Sequence, residues 1–311
     1  MSKPFEFGVQ VGGDLNATDF RAVAKKTEDL GYATLYMPDH FIDTQLAPMV
    51  GLAMAAEATS TLRVCALVLD NDYKHPAITA KEVATIDVLS DGRAELGIGA
   101  GWMQVDYDAL GLPYDSAGTR IARLEEALAV IKGAWASGSY SFAGDHYTIT
   151  DYNGLPTPVQ QPGPPILIGG GGPKVLQLAG REANIVGINP NLRAGRITND
   201  AASDSVADMI EKKIGWVREG AGARFEEISL QIRYFFMVVT DDRQTLMESM
   251  APAFDLTVDE ALNSGITLVG TVDEICDQLV ERRERWGVSS VVVGNDNYES
   301  FAPVVERLAG T

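Results

Sequence analysis

Histidine is scarce in this chain of 311 residues, which has three, and cysteine is scarcer, with two. Cys65 and Cys276 lie far apart and form no CxxC pair, so the sequence predicts buried, reduced thiols. His40, His75 and His146 stand singly, without H-x-x-x-H or Cys/His spacing, and no metal site is expected. G-x-S-x-G is absent, which excludes a lipase-type nucleophile elbow. Positive charge is the next shortage: 25 Lys plus Arg face 43 Asp plus Glu, a net charge of −18. Nucleic acid and anionic membrane both require a basic face, so neither is an expected partner. The longest apolar run, "LAPMVGLAMAA" (Leu46 to Ala56), falls short of the ~20 residues that span a bilayer. Lys3, Pro4 and Glu6 interrupt any signal peptide, and the expected setting is the cytoplasm.

What the chain does have is a rhythm of short β-rich runs and helical ones. Strands are predicted at Phe5–Val11, in "ATLYM", at Leu62–Leu69, Arg93–Gly99, Pro165–Gly170, Asn184–Ile188, Ile228–Val239 and Val288–Gly294. Helical spacing follows most of them, as in "DFRAVAKKTEDLGY", closed by Gly31. Between the fourth and fifth strands, the Gly-, Pro- and Tyr-rich stretch near Tyr140 to Pro164 reads as a hairpin and an extended segment. Eight strands, most followed by a helix, predict an α/β chain. It is a (β/α)8 TIM barrel with that insertion and extra helices late in the chain, one domain over residues 1–311. A doubly wound open sheet is the alternative.

In a barrel the chemistry sits at the carboxyl ends of the strands, so polar residues there are the candidates. Strand two ends in Asp39-His40: either a general acid/base with a carboxylate beside it, or a capping acid and a packed ring. Strand three ends in "LDNDYKHP", where Asp70 and Asn71 face a ligand or cap the loop and His75 precedes a helix-opening proline. Strand four ends in "GIGAGW". Gly99, Ala100 and Gly101 permit close backbone approach and Trp102 offers a wall, although a tight turn with a core Trp fits too. The third glycine of a dinucleotide fingerprint is missing there. Strand five ends in "GGGGPK": Gly169, Gly170, Gly171 and Gly172 lead into a helix with Pro173 in its first turn, an anion-binding arrangement with Lys174 adjacent, or a plain flexible turn. Strand six ends in "INPNLRAGR", where Asn189, Arg193 and Arg196 form a polar, basic patch or a solvated loop.

"PDHF", the block "LVLDNDYKHPAITAKEVATIDVLSDGRAELGIGAGW", "PILIGGGGPKVLQLAGREANIVGI" and the C-terminal "LVGTVDEICDQLVERRERWGVSSVVV" together resemble the luciferase-like superfamily, and most closely its branch that uses coenzyme F420. The resemblance spans nearly the whole chain. It implies a barrel with a flavin-like ring in its mouth, resting on a strand-three bulge with a non-proline cis peptide at Ala66-Leu67. It implies His40 as the group that moves the proton accompanying a hydride, oriented by Asp39. Ala66, Leu67, Asp70, Gly99, Ala100, Gly101 and Gly169 to Gly172 then hold the cofactor, its phosphate at Gly171 and Gly172, with Trp102 and Asn189 in the substrate pocket. Where the family's sugar-phosphate dehydrogenases carry a carboxylate, this chain has Trp102, which implies an apolar or aromatic small-molecule substrate. The expected function is an F420-dependent oxidoreductase, with an FMN-dependent monooxygenase and a non-catalytic flavin-binding protein as alternatives. A homodimer is implied, with the Leu46–Ala56 helix at its interface.

Overall fold

Eight parallel strands close into a ring in the computed structural model, which describes residues 3–13, 15–42, 46–196 and 200–311. They are β1 (Glu6–Gln10), β2 (Thr34–Met37), β3 (Arg63–Ala66), β4 (Ala94–Gly99), β5 (Ile166–Gly170), β6 (Ile185–Ile188), β7 (Ser229–Arg233) and β8 (Val288–Gly294). Consecutive strands pair in order, β3 meets β4 through Val64 and Ala94, and β8 returns to β1 through Val291 and Phe7. Closure leaves the ring without an edge. After the strands come α1 (Ala17–Asp29), α2 (Pro48–Ala58), α3 (Pro76–Leu89), α4 (Ala117–Trp135), α5 (Pro173–Glu182), α6 (Ala207–Ala221), α7 (Val272–Trp286) and α8 (Tyr298–Leu308). The architecture is a (β/α)8 TIM barrel.

Local chemistry places the helix starts. Asn16 accepts the N–H groups of Thr18 and Asp19 at the head of α1, Ser116 accepts that of Thr119 on α4, and Thr271 with Glu274 forms a capping box on α7. Pro48, Pro76 and Pro173 open α2, α3 and α5, where a missing N–H costs nothing. The expected insertion is a hairpin of Ser139–Ala143 and Thr148–Asn153, antiparallel, between α4 and β5. Helices Arg243–Met250 and Val258–Leu262 stand between β7 and α7. Cys65 and Cys276 are buried and unbridged.

Strand alternation divides the apolar residues into two cores. Outward side chains such as Phe7, Leu35, Val64, Leu96, Ile168, Val186, Ile232 and Val293 meet the helices in the large cluster. Inward ones, Tyr36, Cys65, Leu167, Ile185 and Val292, fill the barrel's middle, where Gln231 donates to Tyr36 Oη at 2.9 Å and to Ser290 Oγ at 3.2 Å. Below them Arg63 pairs with Glu95 at 3.0 Å and Glu6 at 2.9 Å. Burial pushes the Glu95 carboxyl up to about 7 despite that partner, because the group is fully enclosed.

Two expectations require correction. The seventh apolar run is two strands: β7 stops at Arg233, and Phe236–Val239 pairs in parallel with Thr267–Gly270 outside the barrel. Its residues pack with Met247, Ala251 and Ala261 in a separate small core, so one run serves two sheets. The cis peptide joins Leu67 to Val68, one bond later than expected. Ala66 points outward into the helix layer, while Leu67 and Val68 are half-buried and join the inner cluster.

Gly97 faces inward where β3 and β4 come closest: a Cβ there would stand 1.8 Å from the Ala66 carbonyl oxygen. Gly97→Ala is therefore expected to lose about 3 kcal/mol or more in urea unfolding. Gly215→Ala, in the interior of α6 with open space around it, is expected to gain about 1 kcal/mol. Equal effects at the two positions would contradict this packing.

Candidate active site

All eight strands point the same way, so the loops after β2 and β5 share one rim, and His40 lies on the same end of the barrel as the glycine run. The partner that orients His40 is not Asp39. His40 Nδ1 lies 2.8 Å from Asp106 Oδ2, on the short helix Gln104–Leu110, and Asp106 is fully buried while the His40 side chain is 22% exposed. The other Asp106 oxygen accepts the backbone N–H groups of Phe41 (3.1 Å) and Ile42 (3.0 Å), and the Tyr73 hydroxyl donates to Oδ2 at 3.3 Å. Against an acceptor so surrounded by donors, Nδ1 carries the ring proton, and Nε2 makes no hydrogen bond with any described residue. The Trp102 ring meets the His40 ring edge-on at 5.4 Å and 84°.

Asp39 is committed one layer deeper. Its carboxylate accepts the Asp70 N–H at 3.1 Å, and burial raises its pKa. Adjacent residues in extended chain point apart, which is why Asp39 turns under the rim as His40 turns across it. Asp70 is likewise enclosed: the Tyr107 hydroxyl sits across both its oxygens at 2.8 and 2.9 Å, and the Asp72 N–H donates to it at 2.9 Å. Burial pushes Asp70 up to about 7. Its carboxylate therefore braces the loop and is not free to hold a ligand. Gly101 makes room for this pair: its φ is +75° and a Cβ would stand 2.0 Å from the Tyr107 hydroxyl. Arg120 then ties the β4 loop down, donating to the Ala100 carbonyl at 3.1 Å and the Gly101 carbonyl at 3.3 Å.

Across the mouth, the inward positions of β4, β5 and β6 nearest the rim are glycines. Gly97 and Gly99 on β4, Gly169 on β5 and Gly187 on β6 occupy successive inward positions. Val68 stands among them: a Cβ on Gly99 would be 2.9 Å from Val68 Cγ2, and one on Gly169 would be 3.4 Å from Val68 Cγ1 and 3.1 Å from Asn189 Nδ2. Leu67, Val68, Gly99, Gly169 and Asn189 are thus brought together. Gly170 and Gly171 are glycine for packing reasons, because their Cβ positions collide with Val175 and the Pro190 carbonyl. Lys213 holds the loop after β6 in place, donating to the Asn189 carbonyl at 2.9 Å and to Asp204, which in turn accepts the Asn191 N–H. Gly172 ends the run as the N-cap of α5, with no side-chain cap and its missing Cβ facing only Asn191 Nδ2 at 3.7 Å. The first N–H groups of α5 are the donors this leaves.

A flat ring with an anionic tail fits this arrangement. The glycines of β4 and β5 let Val68 and Asn189 come close against the bare backbone, a flat surface on which a ring can rest, and an uncapped helix start offers donors to a phosphate. Among the described residues no cluster of three potential metal ligands occurs, and no helix is long and apolar enough to cross a membrane.

Two outcomes test the acid network. Between 3.8 and about 7 the folded protein holds a proton on Asp70 that the unfolded chain has lost, so this group's contribution to stability falls as pH rises through that window. Asp70→Asn should flatten the stability profile from pH ~5 to ~8 by at most about 3 kcal/mol; an unchanged slope would contradict a protonated Asp70. Asp106→Asn presents an amide that cannot accept from every donor around it. We expect a loss of about 1–3 kcal/mol and a changed ¹⁵N signature of the His40 ring, with Nδ1–H no longer fixed. An unaltered Nδ1 shift would show that Asp106 does not set the tautomer.

Known proteins place this geometry. A family model described as luciferase-like monooxygenase matches residues 1–254. An FMNH(2)-dependent dimethylsulfone monooxygenase of Pseudomonas putida is 33% identical over 160 residues, which cover 51% of this chain and 44% of that enzyme, under half its length. A phthiodiolone/phenolphthiodiolone dimycocerosates ketoreductase of Mycobacterium tuberculosis is 30% identical over 333 aligned positions, 92% of this chain and 82% of that one. An F420-dependent glucose-6-phosphate dehydrogenase of Amycolatopsis mediterranei is 31% identical over 170 residues, 52% of this chain and 50% of that enzyme. The fold matches that of the coenzyme F420-dependent tetrahydromethanopterin reductase of Methanopyrus kandleri, with a TM-score of 0.76, 21% identity and 98% of both chains covered. The chain belongs to the luciferase-like family of flavin-type oxidoreductases and monooxygenases.

Proposed function

We propose that this protein is an oxidoreductase that binds coenzyme F420 in the barrel mouth and acts on a small, largely apolar organic substrate. One observation carries the reading: an imidazole with one nitrogen fixed by a buried carboxylate and the other without a hydrogen bond to any described residue stands on the same rim as a row of glycines and an uncapped helix start. When bound, the deazaflavin supplies the two-electron, hydride-accepting or hydride-donating chemistry. His40 then moves the accompanying proton at Nε2, a role worth ~10²–10⁴-fold. Asp106 keeps the tautomer that makes Nε2 the working atom, and Tyr73 and the Phe41 and Ile42 N–H groups keep Asp106 in place. Leu67 and Val68 bear on one face of the ring and the α5 start holds the phosphate. Trp102 and the half-exposed Phe41 line the substrate side and exclude water.

FMN is the second reading, favoured by the family's description and the P. putida relative; a single phosphate at Gly172 serves either cofactor. We further propose one domain over residues 1–311, a cytoplasmic setting, and a homodimer through the outer faces of α2 and α3, where Val50, Ile78 and Leu89 are exposed.

Titration of the purified chain with F420 and with FMN, followed by absorbance near ~420 and ~450 nm, decides the cofactor: F420 is expected to bind at least ~10-fold more tightly. Gly172→Asp tests the phosphate site. Aspartate is a preferred N-cap in this extended conformation, so the variant should melt at the same or a higher temperature. Its carboxylate would occupy the helix N–H groups and lower F420 affinity at least ~10-fold. Unchanged affinity would remove the phosphate from α5.

A further inference from the structure

Beside the glycine wall, on the strand that pairs with β6, the mouth holds a cation that the proton chemistry does not use. Along β7 the side chains of Leu230 and Ile232 point outward into the helix layer, and Gln231 points inward to Tyr36. Arg233, two residues on, therefore projects inward at the rim. Its Nε donates to Gln10 Oε1 and its Nη1 to the Tyr234 carbonyl at 3.1 Å, and its guanidinium lies 4.2 Å from the centre of the Phe235 ring. Gln10 extends the chain by donating to the Leu67 carbonyl at 3.2 Å, so the cation is tied to the peptide on which the ring would rest.

Nη2 makes no hydrogen bond with any described residue; it lies 3.4 Å from where a Cβ of Gly294, the last inward position of β8, would stand, and Asp296 Oδ1 lies 2.4 Å from the same point. The glycine thus lets the Asp296 side chain lie over that position, near the cation but not paired with it. No described carboxylate is within the 4.0 Å of an ion pair; Asp296 attracts it only from farther away. The contrast with the other inward arginine is sharp: Arg63, at the barrel's closed end, holds two carboxylates. A charge enclosed without a described carboxylate in contact is costly, and burial lowers the pKa of Arg233, although Asp296 works against this from beyond contact. Phe235 beside it is 54% exposed, an aromatic surface of the kind that the apolar part of a ligand covers.

We infer that Arg233 is the specificity-determining residue of the substrate pocket: it pairs with a carboxylate on the substrate, whose apolar or aromatic body lies between Phe235 and Trp102. This rests on the barrel mouth being the active site, and it narrows the substrate to organic acids. An Arg–carboxylate pair in a partly desolvated mouth is a charge-assisted interaction, stronger than the hydrogen bond a neutral analogue makes there.

Benzoate and benzamide, equal in shape and different in charge, are suitable probes. Each is titrated calorimetrically into the full chain, with and without F420, alongside a separate F420 titration. Benzoate is expected to bind at least ~10-fold more tightly than benzamide to the native protein. Arg233→Met should abolish that preference while leaving F420 affinity within about twofold. Gln10→Glu retains the arginine but gives it an internal partner, and should cut benzoate affinity at least ~5-fold; it decides the matter if Arg233→Met does not fold. No preference for benzoate, or a preference that survives both substitutions, overturns the assignment. A loss of F420 affinity in step with that of benzoate also overturns it, because the cation would then serve the cofactor. Failure of F420 to bind at all speaks against the cofactor reading alone, since the cofactor-free titration still reads Arg233.

Discussion

The interior of an eight-stranded barrel is only as wide as the side chains that fill it, and that shortage of space governs this molecule. Lower down, Arg63 with its two acids and then Tyr36, Cys65, Leu167, Ile185 and Val292 fill the cross-section completely. Any cavity at the rim must therefore come from residues that omit a side chain. Gly97, Gly99, Gly169 and Gly187 do this on adjacent strands, and Ala66, Val68 and Asn189 close in on the bare backbone there, while Asp296 closes in on Gly294. The candidate residues stand around that rim.

How much of this the sequence conveys depends on whether a residue's role is local. The strands and helices are legible because alternation, caps and proline positions are read within a few residues, and the prominence of His40 and the glycine run survives into the structure. Asp106 was not legible. It is one of 43 acids, on a seven-residue helix 66 positions from its histidine, and only the fold brings them together. Asp39, adjacent in sequence, was the natural partner to expect, and the geometry of extended chain separates it. The break in the seventh run lies where the alternation of Ile228 to Arg233 gives way to the unbroken apolar run Tyr234 to Val239, and neither pattern by itself names the core that receives it.

The acids around His40 divide by depth. Asp106 accepts four donors and so can remain a fixed acceptor without exposure. Asp39 and Asp70 are joined through a backbone N–H, and burial raises both. Two further charges so close to Asp106 would repel it; a proton retained on Asp70 near neutrality relieves that. The tyrosines at 73 and 107, with rings 5.5 Å apart, link the two groups without adding charge. The sector is thereby kept acidic in composition and moderate in field.

That moderation makes the two cationic features of the mouth effective. In a chain of net charge −18 the long-range field repels anions, so an anionic tail or substrate must be held by contacts at short range, inside the low-dielectric rim where screening by water is weak. In the reading proposed here, the α5 start, where Gly172 leaves the N-cap without a side chain, and the Arg233 guanidinium would be such contacts, on different sectors of the same circle. A ring anchored by its tail at the first and a substrate anchored by its acid at the second would meet over Val68, with Nε2 of His40 at the edge of both. Separate anchors let the two ligands bind without competing for charge, which an enzyme that must hold both at the moment of transfer requires.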